Sequence, residues 1–175
     1  MVKRLNKPVK GLILKKSRHG IGVFAGKNFS KGEFIIEFSG KIHKIKDNPK
    51  GWNSKSSHYI QIGKDVCLGP TRTLDNYINH SCSPNSGLKI SANVPLFAIR
   101  NIRKGEEITL DYSTTMHNDD WELDCTCSSR NCRKKVKEFS KLPEKTQQKY
   151  VRMEIVPEYV LESLDWLKFN KIKKS

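Results

Sequence analysis

Asn79-His80-Ser81-Cys82 takes its meaning from two segments that follow it, Gly105-Glu106-Glu107-Ile108-Thr109-Leu110-Asp111-Tyr112 and Cys125-Thr126-Cys127-Ser128-Ser129-Arg130-Asn131-Cys132. Each piece alone is common. The last is a C-x-C-x4-C array, and its three thiols leave a tetrahedral zinc shell one ligand short. Two other cysteines are available. Cys67 lies between Val66 and Leu68 in an apolar run that reads as a core strand. Cys82 follows a His-Ser turn and precedes Ser-Pro-Asn, the setting of a ligand held on a loop. Cys82, Cys125, Cys127 and Cys132 are therefore the expected metal ligands. The alternative is a set of free buried cysteines acting as small hydrophobes. Against it stand Thr126, Ser128, Ser129 and Asn131, which are too polar for a core strand. Arg130, Arg133, Lys134 and Lys135 are expected to offset the net negative charge of a four-thiolate zinc site.

A length of 175 residues suits one domain, with room for an appendage. No apolar run approaches the ~18 residues of a membrane span, and the chain does not open on a signal-peptide pattern. A reducing, intracellular setting is expected, in which clustered cysteines bind metal rather than pair. Lys and Arg outnumber Asp and Glu by 33 to 18, a net charge of +15. Such a field suits a nucleic-acid or acidic neighbour, and equally a solvated lysine-rich surface. No aromatic–basic interleaving suggests base stacking.

Short strands are expected at 12–15, 23–25, 33–38, 58–62, 66–68, 96–99 and 107–112, separated by Gly, Pro and Asn turn signals. Residues 44–57 read as a long loop or an inserted helical segment. Residues 144–153 and 158–169 carry apolar side chains at helical spacing, with Pro143 and Pro157 at their starts. The expected architecture is a mostly β domain with a short helical C-terminal extension.

With the upstream turn Gly20-Ile21-Gly22, the three motifs resemble, in order, those of the SET-domain protein lysine methyltransferases, over about residues 11–133. The resemblance implies small sheets with a knotted C-terminal segment: a SET domain at 9–113, a post-SET zinc segment at 121–137 and a helical extension at 138–175. It also makes Cys82 the fourth zinc ligand. The G-x-G turn lacks the strand–G-x-G-x-x-G–helix context of a dinucleotide fold. By resemblance it cradles S-adenosylmethionine, which implicates His19, Gly20, Ile21, Gly22, Asn79 and His80. Tyr59 falls where the family has a tyrosine between cofactor and lysine channel, and Tyr112 matches the catalytic tyrosine. Tyr77 and Leu110 are expected in the channel, and Trp121 near the adenine or over the peptide groove. Taken alone, His80 and Tyr112 would read as satisfied structural residues.

Several positions depart from the family pattern. Asn76 stands where many relatives carry arginine, and Leu110 where they carry an aromatic. A cysteine-rich pre-SET region is not expected. The acids around Trp121 (Asp119, Asp120, Glu122 and Asp124) are candidates to receive a basic peptide, or else a plain exposed loop. The implied activity is methyl transfer from S-adenosylmethionine to a lysine of a histone-like, chromatin or ribosomal protein, with the substrate held on nucleic acid. No membrane is involved, and the location is cytoplasmic in a prokaryote or nuclear in a eukaryote. The competing class is an inactive, zinc-stabilised basic binding module. A weaker reading makes Cys67 or Cys82 a reactive nucleophile.

Overall fold

A computed structural model describes residues 10–47, 58–71, 73–117 and 121–164. Strands β1 (Leu12–Ser17) and β2 (Gly20–Ala25) form an antiparallel hairpin. Its buried residues are Leu12, Gly22, Val23 and Ala25, while Lys15 and Lys16 face water. Gly20 turns the hairpin at φ +101°, a left-handed conformation that disfavours side chains with a Cβ. The next strands are β3 (Phe34–Glu37), β4 (Ile42–Lys44), β5 (Ile60–Gln61), β6 (Val66–Leu68) and β7 (Asn79–His80). After them come β8 (Ser86–Leu88), β9 (Pro95–Ala98), β10 (Thr109–Leu110), β11 (Leu123–Asp124) and β12 (Lys135–Val136). Two three-stranded antiparallel sheets, ordered β3-β9-β8 and β4-β6-β5, flank a core that includes Ile36, Leu68, Leu88, Leu96, Ile108 and Leu110. Each such fully buried aliphatic side chain contributes about 1.5–3 kcal/mol.

The threaded centre of the molecule is the segment from Glu107 to Leu110. On one side Ile108 N–H donates to the Val23 carbonyl at 2.7 Å. On the other, β10 runs parallel to β7 and Ser81 N–H donates to the Leu110 carbonyl at 3.0 Å. The buried Asn85 side chain closes the sleeve, donating to the Glu107 carbonyl at 2.7 Å and accepting from Thr109 N–H at 2.9 Å. The side-chain amide thus substitutes for a missing ladder partner.

The tail forms a second apolar cluster, with Phe139, Leu142, Tyr150, Ile155, Val156 and Val160 buried. It carries helices α1 (Glu144–Arg152) and α2 (Glu158–Glu162), and Pro143 and Pro157 occupy their N-cap positions. Gly87 lets the tail dock on β8, since a Cβ there would fall 2.5 Å from Ile155 Cγ2. Tyr159 Oη shares its proton between the carbonyls of Thr115 at 2.7 Å and Gln61 at 2.9 Å.

Each expected strand is present: β1 and β2 run longer than expected, β6 and β9 have the expected length, and β3, β5 and β10 are shorter. The last one stops at Leu110, because the Asp111 side chain accepts from Ser113 N–H and caps a 3-10 turn over Tyr112–Thr114. Strands β4, β7, β8, β11 and β12 are too short to carry a two-residue periodicity legible in sequence. Lys44 ends β4, residues 45–47 form a 3-10 turn, and 48–57 lie outside the described residues. The second expected helix lies outside them beyond Leu164.

Candidate active site and metal centre

Tyr112 sits where the threaded segment emerges beneath β7. Its hydroxyl donates to the Ile78 carbonyl at 2.9 Å, its N–H donates to His80 Nδ1 at 3.2 Å, and its ring meets the His80 ring edge-on at 5.3 Å. Burial, followed by the negative charge of Glu107, pushes the phenol well above its ordinary value. The group is therefore a hydrogen-bonding phenol at neutral pH, not a phenolate base. It lines a cavity together with Tyr59, Leu110, Thr115, Met116 and Trp121. Sequence-expected residues from three separate segments thus meet in one place. Tyr77, expected in the channel, instead packs on the core beside His58 and is not among the lining residues.

The glycine turn lies on the far side of β7. Asn79 Nδ2 donates to Glu107 Oε1 at 2.7 Å, to Ser17 Oγ at 3.1 Å and to the Ile21 carbonyl at 3.2 Å. A Cβ on Gly22 would overlap Glu107 Oε1 and lie 2.9 Å from Asn79 Nδ2. Gly22 is thus required by packing against a half-buried polar cluster, a reason the turn motif did not disclose. Gly20 faces open space, with nothing within 4 Å of a Cβ placed there, so its positive φ and not packing calls for glycine at the hairpin tip. His19 is exposed at this tip, 3.5 Å from Thr126 Oγ1 of the cysteine segment.

Behind Tyr112 four thiols converge. Cys125 Sγ is 3.8 Å from both Cys82 Sγ and Cys132 Sγ, and the ligand atoms of His80, Cys82, Cys125 and Cys127 all lie within 4.8 Å of one another. A tetrahedral zinc with Zn–S of about 2.3 Å has S···S edges of ~3.8 Å, which the Cys82–Cys125 and Cys125–Cys132 pairs match, while Cys132 lies outside the group that closes within 4.8 Å. Main-chain amides aim at the sulfurs: Arg133 N–H at Cys82 (3.4 Å), Cys127 N–H at Cys125 (3.4 Å) and Cys82 N–H at Cys127 (3.5 Å). Burial pushes the Cys82 thiol up to about 11 and Cys125 up as well. Burial also raises Cys127, but hydrogen bonds from Ser129 and from the Cys82 amide outweigh it and bring that thiol down to about 6. A full set of thiolates at neutral pH therefore needs a cation among them. His80 Nδ1 accepts from Tyr112, so Nε2 carries the proton and points it at Cys82 Sγ, 3.3 Å away. In this tautomer the imidazole is a donor to a thiolate rather than a ligand.

The expected cationic halo around the cysteines is only partly present. The Arg133 guanidinium turns away to clamp Asp111 at 2.7 and 2.8 Å. Lys135 pairs with Glu122 at 2.6 Å and Asp124 at 3.4 Å. Main-chain N–H groups take the place of those charges at the sulfurs. The same pairing occupies the described acids beside Trp121, and Asp119 and Asp120 lie outside the described residues. Cys67 is buried in the β4-β6-β5 sheet, donates to the His43 carbonyl at 3.7 Å and has its thiol pushed up by burial, the reverse of an activated nucleophile. Ser17 gave no signal in sequence, and Glu107, Asp111 and Arg133, though in or beside the motifs, gave none of the partners they have here. Each acts through a contact distant in sequence.

Fold and site together define a SET-domain protein: the SET domain family profile matches residues 20–113, and the chain belongs to that family. It is 34% identical over 142 residues to the variant-silencing SET domain-containing protein of Plasmodium falciparum, covering 71% of this chain and 6% of that protein. It is 31% identical over 137 residues to the histone-lysine N-methyltransferase ASHH3 of Arabidopsis thaliana, covering 71% of this chain and 37% of that protein. Among solved structures it resembles KRYPTONITE in complex with mCHG DNA and SAH, with a TM-score of 0.59 and 26% identity over 77% of this chain and 30% of that one. The chain thus spans well under half the length of these relatives. No helix among the described residues is long and apolar enough to cross a membrane.

Proposed function

We propose that the protein transfers methyl groups from S-adenosylmethionine to the side-chain amine of lysine in a protein substrate. The observation that carries this reading is the half-buried Tyr112 phenol, fixed on the Ile78 carbonyl and facing a cavity it shares with Tyr59, Leu110 and Trp121. In this reading residues 9–113 are the catalytic domain, 121–137 the zinc segment and 138–175 the extension. Cys82, Cys125, Cys127 and Cys132 hold one structural zinc. The relatives named as histone-lysine methyltransferases, and the neighbour solved with DNA and SAH, support a chromatin-like substrate. The net charge of +15 favours a substrate presented on nucleic acid over a free basic tail. The location is then intracellular, and nuclear in a eukaryote.

The bound cofactor supplies a methyl group carried on a sulfonium. In this reading the hairpin tip at His19–Gly22 and the Asn79 side chain hold its polar ends. His80 has both ring nitrogens engaged, so it contributes through its main chain. Trp121 offers a flat wall to the adenine or the peptide. A free lysine amine has a pKa near 10.4 and is masked at neutral pH. The apolar walls of Leu110 and Met116 disfavour its ammonium form, and the Tyr112 hydroxyl orients it for in-line attack. The test is incubation with tritiated S-adenosylmethionine and a panel of histones, nucleosomes and ribosomal fractions. Label on lysine supports the reading, and no label on any protein leaves the inactive binding module in its place.

A further inference from the structure

We propose that Tyr150, on α1 beyond the segment the family profile matches, is a positioning residue that acts on Tyr112 through the buried carboxylate of Asp111. The inference rests on the reading of Tyr112 as the methyl-transfer residue. The Asp111 side chain is 0% exposed and is gripped by four donors. Oδ1 accepts from Arg133 Nη2 at 2.7 Å and from Ser113 N–H at 3.1 Å. Oδ2 accepts from Arg133 Nη1 at 2.8 Å and from Tyr150 Oη at 3.0 Å.

The Ser113 bond makes Asp111 the cap of the turn that begins at Tyr112, so the rotation of this carboxylate sets where Tyr112 leaves the threaded strand. Arg133 ties the carboxylate to the cysteine segment, and Tyr150 ties it to the tail. Tyr150 is itself 2% exposed, with its ring in the tail's apolar cluster, so its hydroxyl has no freedom to follow a moving partner. Burial, and then the Asp111 charge, keep that hydroxyl protonated and donating. A charge-assisted bond in a site closed to water is among the stronger side-chain interactions, and here it bears on the residue preceding Tyr112. The tail therefore belongs to the active site and is more than an outer buttress.

The test uses the 175-residue chain and Tyr150→Phe, which keeps the ring and removes only the donor. With tritiated S-adenosylmethionine and core histones, kcat is expected to fall about tenfold, with KM for both substrates within about twofold and zinc per chain unchanged. Amide exchange at Ser113 should quicken about tenfold, a readout independent of turnover. In an Asp111→Asn background, Tyr150→Phe should cost little further in kcat. Val160→Ala, which loosens the same apolar cluster away from Asp111, should lower stability and leave kcat and Ser113 exchange unchanged. Unchanged Ser113 exchange in Tyr150→Phe overturns the proposal. So does full additivity with Asp111→Asn, or an equal kcat loss in Val160→Ala. If Tyr112→Phe is inactive while Tyr150→Phe is normal, only this proposal falls; a fully active Tyr112→Phe removes the methyl-transfer reading beneath it.

Discussion

Replacing Tyr112 with Phe removes one oxygen atom, and the structure sets the size of two separate effects. The first is on stability. The lost bond runs to the Ile78 carbonyl at 2.9 Å, and Ile78 is buried, so an acceptor is left without its partner. Such a loss costs about 1–3 kcal/mol. In a chain of 175 residues each 1 kcal/mol lowers the unfolding midpoint by roughly 2–4 °C, so Tyr112→Phe should melt somewhat lower yet remain folded. The ring keeps its edge-on contact with His80 at 5.3 Å, and the N–H bond to His80 is untouched. Affinity for S-adenosylmethionine should therefore stay within about threefold, as read by calorimetry. The second effect is on rate. A fixed donor at a site where charge is redistributed typically contributes about 100- to 1,000-fold. Single-turnover transfer of tritium at saturating donor measures it directly. Retention of more than about a tenth of the rate limits the hydroxyl to less than ~1.4 kcal/mol and refutes the role given to it. A loss of rate that tracks a loss of donor binding would make Tyr112 a packing residue instead.

Cys82→Ser should release one zinc per chain and speed proteolysis from Cys125 onward, because metal binding and local folding are coupled; unchanged zinc by atomic absorption would exclude Cys82 from the ligand set. Leu110 lines the cavity, is 1% exposed and lacks a donor to hold a blocking water, so the wild-type protein should reach di- or trimethyllysine. Leu110→Tyr should shift product toward monomethyllysine, and mass spectrometry showing only monomethyl product from wild type would rule out residue 110 as the determinant. Gly87→Ala should destabilise the tail by about 1–3 kcal/mol, since the new methyl meets Ile155 carbons at 2.5–3.0 Å. Hydrogen exchange across 139–164 would register it, and unaltered protection there would mean that Ile155 yields without cost.

The amino-acid sequence by itself determined which chemical groups the protein has and which local forms its chain takes. Three thiols within eight residues call for a fourth ligand. The apolar runs of β1, β2, β3 and β9 mark strands, and Pro143 and Pro157 mark helix starts, all because these signals act between neighbours along the chain. Only the tertiary structure decided what those groups touch. His80 joins Cys82 to Tyr112, which lies 32 residues beyond the histidine and reaches it through the Tyr112 N–H bond. Arg133 leaves the thiols to amide donors and clamps Asp111, 22 residues back. Gly22 gives way to Glu107, Gly87 to Ile155, and Tyr150 reaches Asp111 across 39 residues. Tyr77, two residues before the Asn79 motif, turns to the core instead of the cavity. Partners like these meet only when a threaded strand and a folded-back tail close long loops. Closing those loops depends on burial summed over the whole core, which no short stretch of sequence records.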